Sequence, residues 1–75
     1  MEIKFSRHAK RRAKLYKIPE STVIAILRNR KFTPGKHEIV QTVDNYYYPL
    51  KISVAVDTQA ITVITNYPLK KGISK

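Results

Sequence analysis

The chain has 75 residues, no cysteine, and 15 Lys and Arg against 5 Asp and Glu, which gives a formal net charge of +10. A chain this short forms one small domain, and without cysteine it has neither disulfides nor thiolate metal ligands. The composition therefore excludes a separate catalytic domain and predicts no metal or cofactor, whereas the excess of positive charge favours an anionic partner, RNA first.

The N-terminal half predicts a short strand followed by two helices. Residues 2–5 alternate polar and apolar side chains, as a strand does. Ser6 fits the N-cap of a first helix that extends to about Tyr16. Pro19 fits the start of a second helix over residues 19–31, in which apolar side chains recur at helical spacing.

The C-terminal half predicts three strands. From His37 to residue 43 the side chains alternate with a period of two, and Asp44 and Asn45 are turn residues. The next strand, within residues 46–57, places four apolar side chains on one face: Leu50, Ile52, Val54 and Val56. A tight hairpin at Thr58 and Gln59 then leads to a last strand over residues 60–67.

The predicted element order is β-α-α-β-β-β. This order is typical of an α+β domain in which both helices pack on one face of a small antiparallel sheet. Residues 1–68 form the domain and 69–75 a frayed tail. The opposite sheet face should be wet and carry Lys51, Ser53, Thr62 and Asn66. Because no apolar run is long enough for a signal peptide or a membrane span, we expect a soluble, cytoplasmic protein without a membrane partner.

The first predicted helix has the strongest charge pattern in the sequence. Its apolar side should hold Ala9, Leu15 and Tyr16, with His8 and Arg12 projecting into that stripe. Two interpretations of His8 and Arg12 stay open, because they are either packing and pairing residues or a proton-transfer group beside a phosphate-binding cation. Cations in the first turn conflict with the helix dipole, which an anion would relieve. The opposite side carries Arg7, Lys10, Arg11, Lys14 and Lys17.

Tyrosines interleave with a cation near the start of the second C-terminal strand. Tyr46, Tyr47 and Tyr48 precede Lys51, and Tyr67 closes the last strand. Aromatic rings beside cations can stack unpaired bases, although tyrosine is also an ordinary strand residue. Both interpretations stay open.

Three segments carry a family resemblance, FSRHAKRR, YKIPESTVIAILRN and VITNYP. Over about residues 3–68 the chain resembles the small prokaryotic family called domain of unknown function 4258. The first family motif is Arg7-His8-Ala9, with Arg12 where the family often carries a further Arg. The second is residues 64–68, Ile-Thr-Asn-Tyr-Pro, where Asn66 replaces the usual apolar residue. Residues 61–64 offer a competing alignment of this motif without the Tyr.

The element order is also similar to that of RelE/ParE toxins, which implies an endoribonuclease held inactive by an acidic antitoxin. The leading hypothesis is thus a RelE-type toxin-like protein that acts on RNA, as a metal-free endoribonuclease, with the ribosome as a further partner. The alternatives are a non-catalytic nucleic-acid-binding module and a protein-interaction or accessory subunit. The predicted catalytic residues are His8, Arg12 and Tyr67. The predicted nucleic-acid-binding residues are Arg7, Lys10, Arg11, Lys14, Tyr48, Lys51 and Thr65.

Overall fold

The computed structural model describes residues 2–43 and 47–69, which form two helices and four strands in the predicted order. The elements are β1 (Glu2–Phe5), α1 (Arg7–Leu15), α2 (Glu20–Arg28), β2 (Gly35–Gln41), β3 (Leu50–Val56) and β4 (Ala60–Pro68). The predicted α+β class is confirmed. The turn predicted at Asp44 and Asn45, the first tyrosine of the Tyr46–48 run and most of the predicted tail lie outside the described residues.

The four strands form one sheet in the order β1-β4-β3-β2. β2, β3 and β4 are an antiparallel meander, as predicted. β1, whose pairing the sequence did not indicate, lies parallel to β4 with Ile3 opposite Ile61. The sheet is therefore mixed, whereas the sequence predicts an antiparallel sheet, and β1 and β2 are its two edges.

The core lies between the helices and one sheet face. Along β3 every second residue is buried, so the four predicted inward residues share a cluster with Val23 and Leu27 of α2. Lys51 and Ser53, on the other side of β3, are partly exposed. This confirms the predicted faces of β3. Neither described helix, at nine residues each, is long and apolar enough to cross a lipid bilayer.

Both ends of α1 are fixed by local hydrogen bonds. The Ser6 hydroxyl accepts from the Ala9 backbone N–H at 3.0 Å, which confirms the predicted N-cap. At the other end Lys17 adopts a left-handed conformation with φ of 56°, and the Ile18 N–H donates to the Ala13 carbonyl at 2.8 Å. This is a Schellman motif, and it turns the chain so that Ile18 is buried beside Ala13.

A β-bulge in β4 decides which residues face the helices. Ser53 pairs with Thr65 and Val54 pairs with Val63, so Ile64 is an extra residue without a cross-strand partner. Beyond Ile64 the alternation is reversed, and Asn66 is fully buried on the helix side. The prediction that Asn66 lies on the open sheet face is therefore wrong, because the simple period of two does not include the extra residue.

The β3–β4 hairpin is closed by an aspartate. The Asp57 Oδ1 atom accepts from the backbone N–H groups of Gln59 at 2.8 Å and Ala60 at 2.7 Å. These two hydrogen bonds stabilise the carboxylate and lower the pKa of Asp57 below its usual range. The hairpin predicted at Thr58 and Gln59 is thereby confirmed.

Candidate nucleic-acid interface

Four cations form a continuous stripe on the solvent side of α1. They lie at positions i, i+3, i+4 and i+7, the spacing of residues that share one helix face. All four are exposed, whereas Ala9 and Ala13 on the opposite face are buried. We call these residues the α1 stripe: Arg7, Lys10, Arg11 and Lys14. Their predicted placement on the outer side of the helix is confirmed.

The inner face of α1 packs closely against the sheet through small side chains. Ala9 and Ala13 contribute only methyl groups to the core, so the helix backbone lies close to the sheet, where its contacts are mainly with β4 and secondarily with β1. At the N-terminus of α1, the Ser6 hydroxyl also links the helix to the bulge of β4, because it donates to the Ile64 carbonyl at 2.9 Å. The stripe is thus carried by a helix that is anchored along its length.

The charges of the α1 stripe repel one another. Each stripe residue has another cation three or four positions away, and such like-charge pairs destabilise a helix by about 0.2–0.5 kcal/mol each. The first turn of α1 contains no acidic residue that would interact favourably with the helix dipole. In contrast, α2 begins with Glu20, which complements the dipole of α2. No carboxylate of the described residues pairs with the stripe. A bound polyanion would relieve this repulsion.

His8 and Arg12 do not share a buried patch. His8 is exposed, so the prediction that it lies on the inward stripe is wrong. Leu15 is also 65% exposed, contrary to its predicted place on the apolar side, whereas Ala9 turns inward as predicted. Ala13 turns inward beside it, and the partly buried Arg12 flanks them. The predicted stripe treats Leu15 as an inward residue, whereas in the structure the two alanines pack closest to the sheet. His8 and Arg12 remain one helical turn apart on one flank of α1.

Arg12 contacts the end of its own helix. Its Nη1 atom donates to the Tyr16 hydroxyl at 3.5 Å, a long hydrogen bond between two partly exposed side chains. No carboxylate of residues 2–43 and 47–69 lies within ion-pair distance of it. Arg12 therefore keeps donors available for an external acceptor.

Tyr67 lies on the other side of the sheet from α1. The bulge directs Thr65 and Tyr67 to the open face, where Tyr67 is opposite Lys51 and both are partly exposed. The Lys51 Nζ atom forms an ion pair of 3.3 Å with Glu38. Because the sheet separates Tyr67 from His8, the three predicted catalytic residues do not converge on one site.

Tyr48 lies beside Tyr47, just before β3 begins. Their rings meet edge to face, with centroids 4.8 Å apart and an interplanar angle of 82°. Tyr47 is 88% exposed and Tyr48 is partly exposed. The pair lies at the end of the sheet where β4 ends with Tyr67 and Pro68. Tyr67 on the open face and the Tyr47–Tyr48 pair just before β3 thus place aromatic side chains at one end of the sheet, as the base-stacking interpretation requires.

Asn66, in the second motif, is a structural link between the layers. Its Nδ2 atom donates to the Ala9 carbonyl at 3.3 Å, while its Oδ1 atom is buried with no hydrogen-bond partner among the described residues. An unsatisfied buried acceptor costs about 1–3 kcal/mol. The residue joins β4 to α1 directly below the stripe and is not exposed to a ligand.

Sequence reasoning missed two clefts beside α2. One, of about 660 Å³, has an apolar floor that includes Leu27, Phe32 and Ile61 and a rim of Arg28, Arg30 and Lys31. The other, of about 610 Å³, lies between α2 and the end of β2 and shares Arg30 with the first. The available signal was the run of three cations and one phenylalanine within residues 28–32.

Comparisons with protein-family models, with curated proteins and with solved structures each find no match to this chain. The family resemblance and the RelE-like interpretation therefore remain predictions. Within the described part of the chain, no three His, Asp or Glu side chains come together in a way that could hold a metal ion.

Proposed function

We propose that this protein binds RNA and that the α1 stripe is its main phosphate-binding element. The observation that carries the proposal is the stripe itself, which consists of four exposed cations on one helix face without a pairing carboxylate among the described residues. At 1.5 Å per residue, Arg7 to Lys14 spans about 10 Å. That length corresponds to about three phosphate spacings of a helical strand at ~3.4 Å each, so the four cations can contact four successive phosphates.

RNA cleavage is a second candidate function, and the surface of α1 favours it at one point. His8 is exposed one turn before Arg11 and Arg12, so a phosphodiester bound by these arginines would lie beside an imidazole. This pairs a proton-transfer group with cations that can stabilise phosphate charge, as metal-free cleavage requires. In this second candidate function an acidic antitoxin would cover the stripe, and the ribosome would present the RNA.

A pair of matched variants tests the binding proposal. Replacement of Lys10 and Lys14 by Gln removes two stripe charges, and replacement of Lys4 and Lys36 by Gln removes two charges from the exposed sides of β1 and β2. We expect fluorescence anisotropy with a labelled single-stranded RNA to show much weaker binding for the stripe variant only. Equal losses in both variants would mean that net charge, and not the stripe, determines binding.

A further inference from the structure

The cleft between the end of α2 and the sheet combines an apolar floor with a cationic rim. We call it the α2 cleft. Its floor includes Leu27, which is buried, and Phe32, which is half-buried against the core, together with Ile61 from β4. Its volume of about 660 Å³ lies in the range of small-ligand sites, roughly 300–1,000 Å³. The cleft is therefore large enough for one nucleotide.

The rim of the α2 cleft contains two cations whose charged groups have no protein acceptor among the described residues. Arg30 is held by Gln41, with its Nη2 atom 3.0 Å from the Gln41 Oε1 atom. Arg28 and Lys31 form no ion pair or side-chain hydrogen bond within residues 2–43 and 47–69, and both are exposed. No acidic residue lines the cleft. Its charge therefore complements an anion.

Phe32 is held in place by a second aromatic ring. Its centroid is 5.2 Å from that of His37, with the rings tilted by 56°. The His37 Nε2 atom lies 2.7 Å from the Thr33 carbonyl oxygen, which fixes the imidazole. Phe32 thus offers a positioned aromatic surface inside a cationic rim, the combination that stacks an unpaired base beside its phosphate.

We propose that the α2 cleft binds one unpaired nucleotide of RNA, with the base against Phe32 and the phosphate at Arg28 and Lys31. The proposal rests on RNA binding as the proposed function and adds a second contact that is distinct from the α1 stripe. The stripe recognises only phosphates, whereas the cleft would favour RNA in which a base is free to leave its stack.

The test uses adenosine 5′-monophosphate and ribose 5-phosphate as probes, with binding followed by NMR on the complete chain. We expect the nucleotide to shift the signals of Leu27, Phe32 and Ile61 and to bind more tightly than the sugar phosphate. Stacking of one base corresponds to about a 5- to 150-fold higher affinity for the nucleotide than for the sugar phosphate. Phe32→Leu, which keeps the floor apolar, should remove most of this difference and leave binding of the sugar phosphate unchanged.

Lys31→Gln supplies a second variant that does not alter the core. It should weaken both probes, while the matched control Lys36→Gln on β2 should weaken neither. Equal affinities for the two probes, or nucleotide-induced shifts confined to the α1 stripe, would overturn the proposal. So would shifts at Phe32 caused by an acidic peptide or by decanoate but not by the nucleotide, since the cleft would then belong to a protein or lipid partner.

The two proposals fail in different ways. If the cleft proposal alone is wrong, single-stranded RNA still binds and the stripe variant still weakens it, but Phe32→Leu has no effect on either probe. If RNA binding itself is wrong, labelled RNA does not bind at low salt whatever the mononucleotide does.

Discussion

Replacement of Arg7 by Glu should make the protein more stable while it weakens RNA binding. Arg7 is the first residue of α1, three positions before Lys10 and four before Arg11. The substitution turns two repulsive pairs into attractive ones, a change of about 0.4–1 kcal/mol for each pair. An acid at the helix N-terminus adds about 0.3–1 kcal/mol through the dipole. The total is about 1–3 kcal/mol at low ionic strength.

Thermal unfolding measures this gain directly. In a domain of this size 1 kcal/mol raises the Tm by roughly 4–8 °C, so we expect Arg7→Glu to unfold at least about 4 °C higher. Arg7→Gln, which only removes the repulsion, should show about half of the gain. At ~1 M salt, where charges are screened beyond ~3 Å, most of it should disappear. An Arg7→Glu protein that unfolds at the same or a lower temperature would refute the argument that the stripe is self-repelling.

Substitutions at three further positions test other parts of the structure. Lys17→Gly should raise the free energy of unfolding by about 1 kcal/mol in urea titrations, because glycine adopts the left-handed conformation without steric cost; a loss of stability would contradict this. Asn66→Val should leave the free energy of unfolding unchanged or raise it. Asn66→Asp should lower the free energy of unfolding by at least ~3 kcal/mol at neutral pH, because it buries an unpaired carboxylate. Equal effects of the two substitutions would show that water reaches the site. If the protein cleaves RNA, His8→Ala should reduce the rate by about 10²–10⁴-fold and leave RNA affinity almost unchanged; a normal rate would make His8 a bystander.

The elements of this fold could be predicted because each depends on nearby residues. The hydroxyl of Ser6 starts α1, and the strict alternation of β3 fixes its buried face whatever its neighbours are. The position of β1 could not be predicted in the same way. Four residues contain no information about which edge they join, and the parallel pairing with β4 brings together strands that are more than fifty residues apart.

The candidate site was predicted only in part, for two physical reasons. Helical periodicity alone indicates which cations share the outer face of α1, so the α1 stripe could be predicted. The inner face does not follow from hydrophobicity, because two alanines approach the sheet more closely than Leu15 can. The bulge at Ile64 then directs Tyr67 away from the helices. No local pattern indicates such an extra residue. The three predicted catalytic residues therefore lie on opposite sides of the sheet, with His8 and Arg12 on α1 and Tyr67 on the open face.

The salt dependence of RNA binding tests the central claim most directly. Each phosphate neutralised on a single strand contributes about −0.7 to the slope of log K against log salt concentration. Contact with all four stripe cations predicts a slope of about −3 between ~50 mM and ~200 mM salt, and replacement of Lys10 and Lys14 by Gln should reduce it to about half. The absence of RNA binding at the lowest salt, or a slope that the stripe variant leaves unchanged, would contradict the claim that α1 binds the phosphates.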